Sequence, residues 1–359
     1  MKKRLLGILF CLLMLSFVLA GCGKDTQTSG KGGKKVGVAM PTKDLQRWNQ
    51  DGDNMKKELE AAGYKVDLQY ANNEIAQQVS QLENMITGGC DILVIASIDG
   101  DSLGTVLADA KKADIPVIAY DRLIMKTDAV SYYATFDNYM VGAIQGQYIA
   151  DQLDLENAKG PFNIEIFTGA PDDNNTHFFY GGAMDILNPY IESGKLVVVS
   201  GQKKFEEVAT LKWSTEEAQK RMENLLTAYY ADGTKLDAVL SANDSCAIGI
   251  SNALVNAGYT SDNFPILTGQ DCDITSVKNI LAGTQSMSIF KDTRTLAAQV
   301  VKMVNAIMNG EEVPINDTET YDNDTGIIPT YLCKPVFADE SNYKEILIDS
   351  GYYTEDELK

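Results

Sequence analysis

The sequence predicts an α/β protein built as two doubly wound, Rossmann-like lobes. Short runs rich in Val and Ile, without polar alternation, recur between amphipathic stretches. That pattern marks strands buried on both faces of a helix-covered parallel sheet. The alternation also starts afresh near the middle of the chain, giving two arrays instead of one. From about Val36 to Lys359 the chain is too long for one small core. A single eight-fold barrel is the alternative that the pattern alone leaves open.

In the first array the strand-like runs are 36–40, 66–70, 92–96, 116–120 and 132–136. Helical stretches fall at 54–62, 75–87 and 103–113, with Val79, Leu82, Met85 and Ile86 at helical spacing. In the second array strands are expected at 163–167, 196–199, 238–241, 265–268 and 288–290. They alternate with helices at 177–187, 215–230, 246–256 and 274–282. A helix at 295–308, a strand at 330–332 and a last helix at 343–349 complete the chain.

The amino terminus has the features of an export signal. Lys2, Lys3 and Arg4 precede an apolar run, Leu5 to Leu19, that is too short for a stable membrane anchor. Leu19-Ala20-Gly21-Cys22 then resembles the bacterial lipobox, which implies lipidation at Cys22 and a signal peptide over residues 1–22. An ordinary signal peptide with an incidental cysteine is the alternative. Residues 23–34 are polar and Gly-rich, with no apolar residue, and behave as a flexible tether with a reach on the order of 20 Å. The expected product is extracytoplasmic, held at the cell membrane by lipid alone.

The formal charge of the chain is −19, with 31 basic and 50 acidic residues. Without the three basic residues of the signal, 28 remain against 50, a charge of −22. Such a surface repels phosphate backbones and anionic lipid, which excludes nucleic acid as a partner class. Cys90, Cys246, Cys272 and Cys333 are scattered, without metal-binding spacing. They are expected to be buried free thiols, with a Cys246–Cys272 bond as the alternative.

In open parallel sheets, ligands bind beyond the carboxyl ends of the strands. Here those ends are polar. Lys43 and Arg47-Trp48 follow the first strand, and others end in Ser97-Ile98-Asp99, Tyr120-Asp121-Arg122, Asp172-Asp173-Asn174-Asn175, Asn243-Asp244, Gln270-Asp271 and Lys291-Asp292. Asp and Asn after a strand also act as turn formers and caps. That role does not account for the Arg, Lys and Trp beside them. Carboxylates accept, Arg and Lys donate and Asn does both, which suits a polyhydroxylated ligand. The two tryptophans, Trp48 and Trp213, sit among polar loop residues and offer apolar faces to a sugar ring.

Catalysis has little support. The single histidine, His177, has no Ser or Cys in a nucleophile-elbow context, and neither dinucleotide nor P-loop fingerprints occur. Asp172 and Asp173 are adjacent in a loop and so point different ways, unlike a glycosidase pair. No enzymatic activity, cofactor or metal is expected.

Several segments carry a resemblance. They are residues 36–43 (VGVAMPTK) with Arg47-Trp48, Asn84-Met85-Ile86, residues 119–122 (AYDR), Phe136-Asp137-Asn138, residues 171–175 (PDDNN), Gly269-Gln270-Asp271 and Gly283-Thr284-Gln285. Together, and in this order, they resemble the type I periplasmic sugar-binding proteins of ABC transporters. The similarity is to the xylose-binding and multiple-monosaccharide-binding branch, which includes the chromosomal virulence sugar receptor. The resemblance implies two lobes joined by three crossovers, near Asn138, just after Lys291 and near Gly326. The first lobe is then 35–137 with 292–325, and the second 138–291 with 326–359.

It also implies roles for residues. Arg47 is expected to donate to hydroxyls and Trp48 to stack, while Asp121 and Arg122 hold ring or anomeric oxygens. Asp173, Asn175, Asn243, Asp271 and Lys291 supply further hydrogen bonds, and Trp213 covers the opposite face. Lys43 and Asp99 are additional candidates. The implied function is capture of xylose, glucose, galactose or arabinose by a monomer that closes on the sugar and delivers it to an ABC permease. The alternative is a sensory subunit that presents its closed form to a sensor kinase or chemoreceptor.

Overall fold

The computed structural model describes residues 33–359, so the expected signal, Cys22 and most of the tether lie outside the described residues. Ten strands form two parallel sheets. The first has the order β11-β5-β4-β3-β1-β2, from β1 (Lys35–Met40), β2 (Lys65–Tyr70), β3 (Ile92–Ile95), β4 (Val117–Tyr120), β5 (Tyr132–Phe136) and β11 (Thr330–Cys333). The second has the order β7-β6-β8-β9, from β6 (Phe162–Phe167), β7 (Leu196–Val198), β8 (Ala238–Ser241) and β9 (Ile266–Leu267). An antiparallel pair, β10 (Met287–Phe290) with β12 (Val336–Asp339), continues it through a parallel bridge from Ile289 to Gln270.

Strand alternation divides the first lobe's core between the two sheet faces. Val36, Val38 and Met40 pack with helix α1 (Gln46–Ala61) and the long helix Thr293–Asn309. Ala39, Leu93 and Ile95 point the other way, onto Leu82, Met85 and Leu107. Both faces are therefore covered, and β3 (ILVI) is buried at every position.

Three differences from the sequence expectation bear on the site. First, α1 starts at Gln46, well before the expected 54, so Arg47 and Trp48 stand on its first turn. Second, the helix Asn138–Gln152, absent from the expectation, lies backbone to backbone on the helix Asn175–Glu192. A Cβ on Gly142 would stand 1.9 Å from the Phe179 carbonyl oxygen, and one on Gly182 2.1 Å from that of Tyr139. Third, the crossover expected near Gly326 lies instead at Lys334–Pro335. Thr330–Cys333 pairs with β5, in register with Tyr133–Phe136, so the 326–359 segment begins in the first lobe and only then enters the second. Gly326 itself, at φ +149°, closes a tight turn in which its carbonyl accepts from the Asn323 N–H.

Helix caps stand at the two other positions where crossovers were expected. Asp137 accepts from the Met140 N–H at 2.9 Å, and Asp292 from the Arg294 N–H at 3.0 Å. The four described cysteines are buried and free, so the alternative Cys246–Cys272 bond is not formed.

Candidate functional site

A narrow cavity of about 30 Å³ lies between the carboxyl ends of the two sheets. All ten principal residues named from the sequence line it: Arg47, Trp48, Asp121, Arg122, Asp173, Asn175, Trp213, Asn243, Asp271 and Lys291. Leu45, Phe179 and Gln270 line it as well and were not expected. Lys43 and Asp99 do not. Lys43 instead sits over the Tyr70 ring at 4.8 Å, and the Asp99 carboxylate accepts from the Asp101 N–H in its own turn.

Three cations and four carboxylates interlock around the cavity. Arg47 pairs with Asp51 one turn along α1 at 2.8 Å, with Asp121 at 2.7 Å and with Asp271 at 3.4 Å. Arg122 pairs with Asp173 at 2.9 Å, and Lys291 lies 3.2 Å from Asp271 and 3.8 Å from Asp121. Asp51 was missed from the sequence, although its i+4 spacing from Arg47 is a detectable signal. Its carboxylate also accepts from the Tyr120 hydroxyl. The guanidiniums of Arg47 and Arg122 stand 4.7 and 5.1 Å from the Trp48 ring, so the indole is braced by two cations.

Burial opposes the charges on Arg47, Asp51, Asp121 and Asp173, and the neighbours decide the outcome. It works to raise Asp121, but Arg47, Lys291 and Arg122 outweigh it and hold this carboxyl below the usual range. Burial raises Asp173 and Asp51, with Arg122 and Arg47 respectively offsetting only part. Arg47 is fully desolvated, yet Asp121, Asp51 and Asp271 keep it firmly charged.

Backbone conformation aims several of these groups. Asp121, Trp213 and Asp271 have φ of +59°, +56° and +102°, a region that costs most residues energy and concentrates at binding sites. The Trp213 ring lies flat on Gly169, where a Cβ would meet it at 2.0 Å. Asn175 holds the two lobes together near a crossing. Its Nδ2 donates to the Asp121 carbonyl at 2.6 Å, and its Oδ1 accepts from Asn138 at 3.0 Å. Asn243 uses Oδ1 to cap the helix Asp244–Asn256 through the Cys246 N–H, leaving its amide nitrogen toward the cavity.

On two cavity-lining residues a polar atom is buried without a protein hydrogen-bond partner: the donor Trp213 Nε1 and the acceptor Gln270 Oε1. A group that both donates and accepts could satisfy the two. Among the described residues, no group of three or more His, Cys, Asp or Glu could hold a metal ion.

Comparison with known proteins accords with this geometry. A family profile described as periplasmic binding protein domain matches residues 36–312. The chain is 70% identical to an ABC transporter solute binding protein of Clostridium phytofermentans, crystallised with bound β-D-glucose. That match has a TM-score of 0.89 and covers 91% of this chain and 100% of the other. A carbohydrate transporter solute binding protein of Chloroflexus aurantiacus, in complex with D-glucose, is 34% identical with a TM-score of 0.81, covering 90% of this chain and 98% of that one. The chain is also 54% identical to the multiple sugar-binding periplasmic receptor ChvE of Rhizobium radiobacter, over 90% of this chain and 92% of the relative.

Proposed function

The chain belongs to the periplasmic binding protein family, and from that premise we propose that it captures a monosaccharide between its lobes and hands it to an ABC permease. The observation that carries this is the composition of the cavity wall. Both lobes contribute cations, carboxylates and an indole face, and Trp213 Nε1 and Gln270 Oε1 await partners. A sugar hydroxyl both donates and accepts, so a polyol can satisfy this set where an apolar ligand would leave it unpaired. Relatives crystallised with glucose support the same ligand class.

In this reading Trp48 and Trp213 take opposite faces of the sugar ring, and Asp121, Arg122, Asp271 and Lys291 bond its hydroxyls. Closure follows because a sugar that touches both lobes makes its full set of contacts only when they are together. The protein acts as a monomer, without a catalytic step, tethered outside the cytoplasm by a lipid on Cys22. The decisive experiment is titration calorimetry with xylose, glucose, galactose and arabinose. Micromolar binding, about 8 kcal/mol, is expected for at least one. A folded protein that gives no heat with any of them rejects the assignment.

A sensory role is a second reading, favoured by one observation: a relative at 54% identity is described as a receptor. Co-purification of the sugar-loaded protein with a permease or with a sensor kinase separates the two.

A further inference from the structure

Building on capture by closure, we propose that Tyr353 is a positioning residue, a latch that ties the helix bearing Arg47 and Trp48 to the turn bearing Asp271. Its hydroxyl donates to the Cys272 carbonyl at 2.9 Å and accepts from Gln46 Nε2 at 2.7 Å and Gln50 Nε2 at 3.1 Å. A phenol has one hydrogen and two lone pairs, so this set saturates it. The three partners come from both lobes. Gln46 and Gln50 flank Arg47 and Trp48 on α1, whereas Cys272 directly follows Asp271 and bonds through its N–H to Ser288 of β10.

The ring is anchored on the second lobe, packed in a small core with Cys272, Val277, Phe290 and Leu347. Gln46 is gripped at both ends of its amide, because its Oε1 also accepts from the Ile274 N–H at 3.1 Å. Tyr352 adds a parallel contact, donating to Gln50 Oε1 at 3.1 Å while its ring meets Phe290 edge-on at 4.7 Å. None of these side chains lines the sugar cavity. They act on the ligand only through the separation of the lobes. Contacts made when the lobes are together stabilise the closed state and slow its reopening.

The test uses the full chain with D-glucose and compares wild type, Tyr353→Phe, Gln46→Met and the double variant. Stopped-flow tryptophan fluorescence gives the dissociation rate, calorimetry the affinity, and a thermal melt the ligand-free stability. Tyr353→Phe keeps the ring packing and removes the hydroxyl. We expect dissociation about fivefold faster, affinity weaker by a similar factor and a ligand-free melting temperature close to wild type. The double variant should cost less than the sum of the two single effects, because the Gln46–Tyr353 bond is lost in both. A wild type that binds glucose while Tyr353→Phe keeps its dissociation rate overturns the latch and leaves the sugar assignment standing. Strictly additive single effects, or a fall in ligand-free stability with no change in dissociation, overturn it too. A wild type that binds no aldose overturns the sugar assignment and the latch together.

Discussion

Arg47 and Asp51 stand one turn apart on α1, and their side chains meet in a buried ion pair at 2.8 Å behind the cavity wall. Asp51 has no exposed surface and faces the Tyr120 hydroxyl from its other side, so it fixes where the guanidinium can point. From that position Arg47 reaches Asp121 in its own lobe and Asp271 in the other.

Removing Asp51 leaves a desolvated cation short of a partner. Asp51→Ala is expected to cost about 3 kcal/mol of folding stability, measured by urea denaturation. It should also weaken sugar binding by about tenfold, because Arg47 is no longer aimed. Asp51→Asn, which retains shape and hydrogen bonding, should lose less of both. Unchanged stability in Asp51→Ala would show that the pair is not formed.

Asp271 is the carboxylate shared by Arg47 and Lys291. Asn tolerates the left-handed backbone at this position, so Asp271→Asn isolates the charge. Calorimetry with the preferred aldose should show affinity at least tenfold weaker. Wild-type affinity in the variant would remove Asp271 from the site.

The chain has two tryptophans, and both line the cavity. Intrinsic emission should therefore change in intensity or wavelength on saturation with ligand. Trp213→Phe should abolish part of the change, and Trp48→Phe the rest. A spectrum indifferent to saturating sugar contradicts the sandwich.

Asp273 sits beside Asp271, and its N–H donates to Asp244 at 2.8 Å. Burial, then the Asp271 carboxylate, pushes Asp273 up to about 7, and burial raises Asp244 as well. The folded state thus binds these protons more tightly than the unfolded chain, where carboxyls titrate near 4. Their contribution is most favourable below about pH 4 and is lost as pH climbs toward 7. Asp273→Asn should therefore gain at least about 1 kcal/mol over wild type at pH 8 and much less at pH 5. Thermal melts across this range check it, and an equal gap at both pH values would contradict the raised titration.

Lipid attachment is tested by metabolic labelling with a palmitate analogue in a bacterial host. Label should appear in wild type and vanish in Cys22→Ser, with the variant moving from the membrane to the soluble fraction. Equal labelling of both excludes Cys22 as the site.

Most strands and the principal cavity residues were legible in the sequence because most of these residues follow a strand, and apolar strands are easily seen; Trp213, in the short turn Leu211–Trp213, stood out instead as an indole among polar loop residues. Leu45 and Phe179 were not, since an apolar residue gives no sign of whether it faces a ligand or a core. Gln270 was passed over between Gly269 and the more conspicuous Asp271. The helix Asn138–Gln152 lacks a single apolar stripe: Val141 and Ile149 enter different cores, so no helical periodicity stands out. The third crossing was misplaced because β12 is only four residues long and follows β11 after Lys334–Pro335. Lys43 follows a strand in sequence but turns toward Tyr70, a direction that spacing does not encode.

The glycine contacts between Asn138–Gln152 and Asn175–Glu192 carry one more consequence. With Gly142 and Gly182 each against the opposite backbone, these helices have no room to slide or tilt. Under the proposed closure this helix pair would move as an undeformed block, leaving the change of shape to the connections between the lobes. A membrane partner would read occupancy as the spacing between two stiff surfaces: a gauge whose jaws keep their shape and report only how far apart they stand.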